Sequence, residues 1–508
     1  MSRLAKLVFQ RVIVVAFFIL LQLAVLLATV LWLSEYRRWI QVVSTVLSIL
    51  TIVYLLYDRT NSSYKIAWII LILAFPVAGI CLYFTFGGRR LNLRTRQGMH
   101  QAEDMVRENL WQENLISDNL KNLSDPAAAS AAYLYNVSGY PVYDNTETEY
   151  FPLGDLLYPK MLEELQKAEK YIFLEYFIMG KGVMWDGILK ILKEKAQQGL
   201  DVRVLYDDFG CITTLPSGYD KYLRKLGIQA KVFNPFVPVL SGRLNNRDHR
   251  KLMIIDGKVG FTGGVNLADE YINKLERFGY WKDSAVRMEG PAARSFANIF
   301  LAFWKARYPE EPMDLPALLP EPAPQPTDCL VQPFADSPAD RETVAKNVYL
   351  DLIAQAQRRL YICTPYLILD NDLLSALRLA AKRGVDVRIY TPGTPDKPTI
   401  YFLTRSYFAN LLQAGVRIYS YTPGFLHAKT WLCDDRVAAV GTVNLDYRSL
   451  YLHFECSALL YGGRVLEDIR ADLAGIERES KRLGLEDCRT GFLGTMCSAV
   501  LRLLAPLC

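Results

Sequence analysis

The sequence predicts an α/β fold: two homologous lobes in one chain, meeting as one pseudo-twofold unit, preceded by N-terminal transmembrane helices. Three observations predict it. The stretch HRKLMIID (249–256) returns as HAKTWLCD (427–434), each copy placing a His, a Lys two residues on and an Asp five after that. The surroundings repeat too: GLDVRV (199–204) matches GVDVRI (384–389), and LGIQAKVF (226–233) matches AGVRIYSY (414–421). Ahead of both copies lie three uncharged apolar runs, 12–33, 39–57 and 66–86.

Each apolar run is close to the roughly 20 residues that cross a ~30 Å hydrocarbon core, so residues 1–90 read as a membrane anchor of three spans. The first run lacks the small-residue cleavage site of a signal peptide. Pro76 is tolerable inside a membrane helix. Basic residues divide almost evenly between the two sides: Arg3, Lys6, Arg11, Arg59 and Lys65 against Arg37, Arg38, Arg89, Arg90, Arg94 and Arg96. The cluster Arg89 to Arg96 suits the anionic cytoplasmic leaflet. The expectation is a multi-pass protein of the cell membrane with its larger part on the cytoplasmic face.

Residues 91–132 are polar and helix-prone, and read as a juxtamembrane connector. Alternating helix and strand patterns over 133–308 make the first lobe, and the same alternation over 341–490 makes the second; both predict a mostly parallel sheet covered by helices. Between them, 309–340 is Pro-rich and reads as a semi-rigid linker. The apolar tail 491–508 is too short for a comfortable span, which leaves core packing and shallow membrane contact both open. A net charge of +5 over 508 residues gives little support for nucleic-acid binding. Nine scattered cysteines without a CxxC pair argue against a zinc site or a disulfide framework.

The repeated motif carries the chemistry. Residues 249–255 read as a strand, so His249 and Lys251 share one face, as do His427 and Lys429. Asp256-Gly257 has the composition of a hairpin turn, and Asp434-Asp435-Arg436 takes that place in the second copy. Asn266 and Asn444, in GGVN and GTVN turns, each lie 17 residues beyond their histidine. Imidazole serves as nucleophile or proton carrier, while ammonium and amide groups stabilise anionic oxygens, a set that suits a phosphoryl group. Asp256 and Asp434 complete the motif, yet their place at strand ends favours turn formation over catalysis.

The paired HxKxxxxD motifs with trailing GGxN and GTxN resemble the phospholipase D superfamily. Within it, YIFLEYFIM (171–179), TGGVNLADEY (262–271), YWKD (280–283), TPYLILDNDLL (364–374) and GTVNLDYRS (441–449) look like the bacterial cardiolipin synthases. The resemblance covers the membrane region and nearly everything beyond about residue 130. It implies two phospholipase D-like lobes sharing one catalytic site, with His249, Lys251, Asp256, His427, Lys429 and Asp434 as the motif residues. Lys251, Lys429, Asn266 and Asn444 would hold the phosphate, and Asp283 and Glu455 would orient the histidines. By analogy His249 is the nucleophile and His427 the acid/base; the near-symmetry of the copies leaves the reverse open.

The implied reaction moves a phosphatidyl group from one phosphatidylglycerol to another, giving cardiolipin and glycerol through a phosphohistidine, with no cofactor. Partners would be phosphatidylglycerol, other phospholipids and the bilayer, with no nucleic acid. Hydrolysis by the same residues, a nucleic-acid phosphodiesterase and a non-catalytic membrane scaffold are the alternatives. Where relatives carry Arg and His beside Asp283, this chain has Lys282 and Ala285, which weakens any claim about headgroup contacts there. An acidic residue at the position of Glu175 implies a place lining the pocket. His453 reads as a strand or supporting residue.

Overall fold

A computed structural model describes residues 36–58, 61–87, 93–108, 125–235, 245–307, 313–339, 342–489 and 491–507, with 13, 17–24, 27–28, 110, 120 and 311. The chain divides into two compact units. One comprises Met1–Arg90, Phe236–Asn246 and Thr490–Cys508; the other comprises Leu91–Pro235 and Arg247–Arg489.

In the first unit, the helix Arg37–Tyr57 contains the one described segment long and apolar enough to cross a membrane, Arg38–Tyr57. Half of the first expected span, 12–33, falls outside the described residues, which there are 13, 17–24 and 27–28. The third, 66–86, is not one span. It breaks at Phe75 into Ser62–Ala74 and Pro76–Phe86. The chain reverses there, bringing Trp68 and Tyr83 to a ring separation of 5.3 Å and the Tyr64 hydroxyl to within 2.5 Å of the Gly87 carbonyl. Proline explains the break, because it lacks the N–H an uninterrupted helix needs and opens a new helix well at its first turn. Gln22 Oε1 then accepts the exposed N–H groups of Val77 and Ala78 at 3.0 and 3.1 Å. Two helices of 13 and 11 residues reach only about 20 and 16 Å, so neither arm is long enough to cross a ~30 Å apolar layer.

The second unit holds both lobes. The first contributes β1 (Glu147–Phe151), β2 (Tyr171–Tyr176), β3 (Asp201–Asp207), β4 (Gln229–Phe233), β5 (Arg247–Asp248), β6 (Lys251–Ile255), β7 (Val259–Gly263), β8 (Tyr280–Lys282) and β9 (Ala285–Glu289). The second contributes β10 (Leu330–Asp336), β11 (Arg359–Cys363), β12 (Asp386–Pro392), β13 (Arg417–Tyr421), β14 (Gly424–Leu426), β15 (Thr430–Cys433), β16 (Val437–Gly441), β17 (His453–Tyr461) and β18 (Ser480–Leu483). The sheet orders are β1-β9-β7-β6-β2-β3-β4 and β10-β17-β16-β15-β11-β12-β13-β18, so the duplication covers seven strands of each, and β18 adds an antiparallel edge to the second.

Neither sheet is mostly parallel. Within each lobe, β2-β3-β4 and β11-β12-β13 pair in parallel; the hairpins β6-β7 and β15-β16, with β9, β17 and the edge strands, run antiparallel. The hairpin turns are too short for anything else. Asp256 and Gly257 have φ of 53° and 66°, Asp434 and Asp435 52° and 57°, the left-handed pair that a two-residue hairpin requires.

Two boundaries move. The expected linker ends early, since β10 lies inside 309–340 and forms an edge of the second sheet, where Pro333 is tolerated. The expected connector is part of the catalytic unit: Leu93–Arg107 packs on Ala293–Arg307, placing Met99 in the core, and Asp125–Ser138 packs on Val344–Gln355. A single buried cluster joins the lobes, running from Tyr171, Phe173 and Phe300 to Tyr390, Leu432 and Leu460.

Candidate active site

Two short cross-lobe pairings build the site. β5 runs parallel to the start of β17, and β8 runs parallel to β14. The His249 N–H donates to the Phe454 carbonyl at 2.9 Å, and the His427 N–H donates to the Lys282 carbonyl at 2.7 Å. Each histidine is thereby stitched to the strand that carries the other lobe's carboxylate.

The side chains follow. His249 Nδ1 lies 3.0 Å from both carboxylate oxygens of Glu455, and His427 Nδ1 lies 2.6 Å from Asp283 Oδ2. Both carboxylates are fully buried. Each therefore holds the Nδ1 proton of the imidazole from the opposite lobe and leaves Nε2 free to react. Ser284 N donates to Asp283 Oδ1 at 2.9 Å, and Gly264 is required beside it, because a Cβ there would lie 1.9 Å from that oxygen. Glu455 accepts from Ser449 Oγ at 2.6 Å and from Thr442 Oγ1.

Lys251 and Lys429 are buried beside their histidines. Lys251 Nζ donates to the His249 carbonyl at 2.8 Å; Lys429 Nζ donates to the His427 carbonyl and lies 3.0 Å from His427 Nδ1. Burial lowers Lys251 to about 8 and Lys429 to about 7. Burial, reinforced by these lysines, drives His249 well below its ordinary value and His427 down to about 4. Burial alone would raise Asp283, but His427 and Lys429 outweigh it and hold it low. Both imidazoles are thus biased toward the neutral form beside two buried lysines, an electrostatic setting that would favour an anion.

Asn266 makes one hydrogen bond at each end of its amide, accepting from Ile178 N at 3.0 Å and donating to the Tyr271 hydroxyl at 2.7 Å. Among the described residues, Asn444 Oδ1 and both ring nitrogens of His453 are buried without a hydrogen-bond partner. The His453 ring sits 5.5 Å from that of His249, its Nδ1 3.7 Å from Glu455. Donor atoms of His249, His453 and Glu455 lie within 4.8 Å of one another. They suit a cation poorly, since Glu455 is already taken up by His249, Ser449 and Thr442 and two lysines flank the site.

Asp256 and Asp434 stand apart from this group. Five residues along a strand from each lysine is roughly 16 Å. Asp256 accepts the N–H groups of Glu169, Lys170 and Tyr171 at 2.8–2.9 Å, and Asp434 those of Gln357, Arg358 and Arg359 at 2.7–2.8 Å. Placed among the catalytic residues by the motif, they instead clamp each hairpin turn to the start of a neighbouring strand. Glu175 is likewise spent internally, fully buried and paired with Arg250 at 2.8 Å. Lys282 turns to Asp472 at 2.8 Å. Gly264, Thr442 and Ser449 lie inside the GGVN and GTVNLDYRS stretches, but the motif gives them no role; their support of the two carboxylates emerges only from the fold.

Comparison with known proteins agrees with this geometry. Residues 161–304 and 349–476 match the family described as cardiolipin synthase, PLD-like domain, and 46–88 match the phospholipase D-nuclease N-terminal family. The chain is 33% identical to a cardiolipin synthase of Alkalihalophilus pseudofirmus, covering 98% of this chain and 99% of that protein. It is 43% identical to an uncharacterized protein of Streptococcus mutans, covering 90% and 99%. The crystal structure of a phosphatidylserine synthase from Haemophilus influenzae shares the fold, with a TM-score of 0.58 at 18% identity over 74% of this chain and 96% of that one. Two matched lobes and nearly end-to-end similarity make this chain a member of the cardiolipin synthase family of phospholipase D-like proteins.

Proposed function

We propose that the protein transfers a phosphatidyl group between two phosphatidylglycerol molecules, giving cardiolipin and glycerol. The observation that carries this is the pair of buried imidazoles, each tied through Nδ1 to a carboxylate of the opposite lobe and flanked by a buried lysine. The substrate's phosphodiester anion settles between Lys251 and Lys429, with Asn444 and Asn266 beside them, and its charge offsets the lysines that add to burial in keeping His427 neutral. His427 then takes up a proton, its charge balanced by Asp283. Nε2 of His249 attacks phosphorus as the bond to the glycerol oxygen breaks, and His427 delivers its proton to that oxygen. In the second half, His427 removes a proton from the hydroxyl of an incoming phosphatidylglycerol, whose oxygen attacks phosphorus and releases His249. The proton His427 takes from solvent on substrate binding is matched by the one it returns to solvent as cardiolipin leaves, so none is gained or lost over the cycle.

The protein is membrane-associated, and in this reading its catalytic unit works on the cytoplasmic face. The anchor confines enzyme and both lipids to one surface, which favours a lipid acceptor over water. Product analysis tests the reaction. Purified full-length protein in mixed micelles with labelled phosphatidylglycerol should give cardiolipin and free glycerol in equal amounts, and neither in His249→Ala or His427→Ala. Phosphatidic acid as the main product would establish a hydrolase instead.

A further inference from the structure

The C-terminal helix Phe492–Leu504 is amphipathic, and it is placed the wrong way round for water. Gly494, Ser498 and Arg502 recur at four-residue spacing and, with Thr495, form a polar stripe. The remaining face is apolar and turned outward: Phe492 is 80% exposed and Leu493 78%, and Met496, Val500 and Leu504 are exposed as well. Gly494, Ser498 and Arg502, on the polar stripe, are partly covered, as are Leu501 and Leu503 toward the end of the helix. A helix on a water-soluble surface shows the opposite pattern, with its apolar stripe toward the core.

Its location accounts for the inversion. The helix belongs to the same compact unit as the N-terminal apolar helices, and both it and the Ala505–Leu507 turn pack on Ser62–Ala74, the first arm of the hairpin. That unit exposes Trp39, Val42, Val46, Leu50 and Val53 along Arg37–Tyr57, so apolar surface continues from one element to the next. Thirteen residues give about 20 Å, too short to cross a bilayer but ample to lie along one. We infer that Phe492–Leu504 lies in the lipid surface beside the hairpin, its apolar face among acyl chains and its polar stripe toward headgroups and protein. The occupant of this face is bilayer lipid, and the chain is anchored at both ends. This stands independently of the reaction proposed above.

Cys497 offers a reporter, since it is exposed on the apolar side and the cysteines Cys211, Cys329, Cys363, Cys433 and Cys456 are buried. In full-length protein with Cys81, Cys488 and Cys508 changed to Ser, Cys497 is labelled with an environment-sensitive bimane. The protein is then reconstituted in phosphatidylglycerol–phosphatidylcholine vesicles. An interfacial helix rests about 5–10 Å below the headgroups. The label should therefore emit at short wavelength, lose most of its emission to lipids brominated near the headgroup end of the chain, and resist aqueous iodide. The same label on Ser498→Cys, with Cys497→Ser, should be iodide-sensitive, because that neighbouring position lies on the polar stripe. Iodide quenching of both positions, with no effect of brominated lipid, would overturn the inference. So would efficient Cys497–Cys497 disulfide formation in the same vesicles before labelling, which would assign the face to a second copy.

Discussion

Around His427 the walls are aromatic: Tyr271, Trp281 and Phe425 place their rings 5.4–5.6 Å from the imidazole. Around His249 the corresponding neighbours are Phe177 at 5.0 Å and His453 at 5.5 Å. Trp281 and His453 occupy equivalent places, each two residues before the carboxylate that serves the nearby histidine. The carboxylates differ too. Asp283, pressed against Gly264, makes one short contact; Glu455, a methylene longer, is shared by both its oxygens with His249 and held by Ser449 and Thr442. The backbone repeats faithfully while the side chains around the two imidazoles diverge. Scaffold position and local proton affinity are thus set by separate parts of the sequence.

The largest expected effect comes from removing either imidazole. His249→Ala and His427→Ala should each lower kcat by about 10³-fold or more. A phosphatidyl ester with a nitrophenol leaving group, which needs no protonation, separates their roles. His427→Ala should keep a single-turnover burst of nitrophenol and His249→Ala should not; the opposite result would reverse the assignment. Next come the carboxylates. Asp283→Asn and Glu455→Gln should each cost roughly 10²–10⁴-fold in kcat, as loss of a histidine-orienting carboxylate does elsewhere. Asp283→Asn should cost more, because Asp283 alone balances the charge on His427 beside Lys429. Equal losses would mean that the two sides respond alike despite their different walls.

Stability separates the motif aspartates from the site. Asp256→Ala strands three backbone N–H groups and should cost roughly 2–4 kcal/mol, read as a lowered urea midpoint with kcat per folded molecule unchanged. A fall in kcat without a stability loss would return Asp256 to the chemistry. The pH profile comes next. Lys429 and Lys251 are lowered to about 7 and about 8, so kcat/KM should fall as pH rises through that window and the phosphate clamp loses charge. Lys429→Arg keeps its charge and should move that limb to higher pH. The smallest effect is expected from making the two sides alike: His453→Trp should change kcat less than about tenfold, or 1.4 kcal/mol, while raising KM.

Much of this is legible in the sequence. The hairpin, its left-handed Asp-Gly turn and the shared face of His249 and Lys251 follow from local alternation and turn chemistry. The carboxylates were identifiable as partners, but their exchange between lobes was not: Glu455 lies 206 residues from His249, and nothing local ties them. The break at Pro76 was hidden by composition, because an apolar run reads the same whether it crosses or turns back. β10 escaped notice because its sequence, LVQPFAD, reads as linker until β17 is there to pair with it.

The exchanged strands have a further consequence. In a dimer of identical chains, every substitution falls on both sides of the twofold axis, so neither imidazole can be tuned alone. Here both halves are joined covalently, and the cross-lobe pairing of β5 with β17 and β8 with β14 guarantees each its complement. A change at Trp281 leaves His453 untouched. Covalent fusion frees each half to specialise, and a Trp facing a His across the pseudo-axis is the mark of that freedom already used.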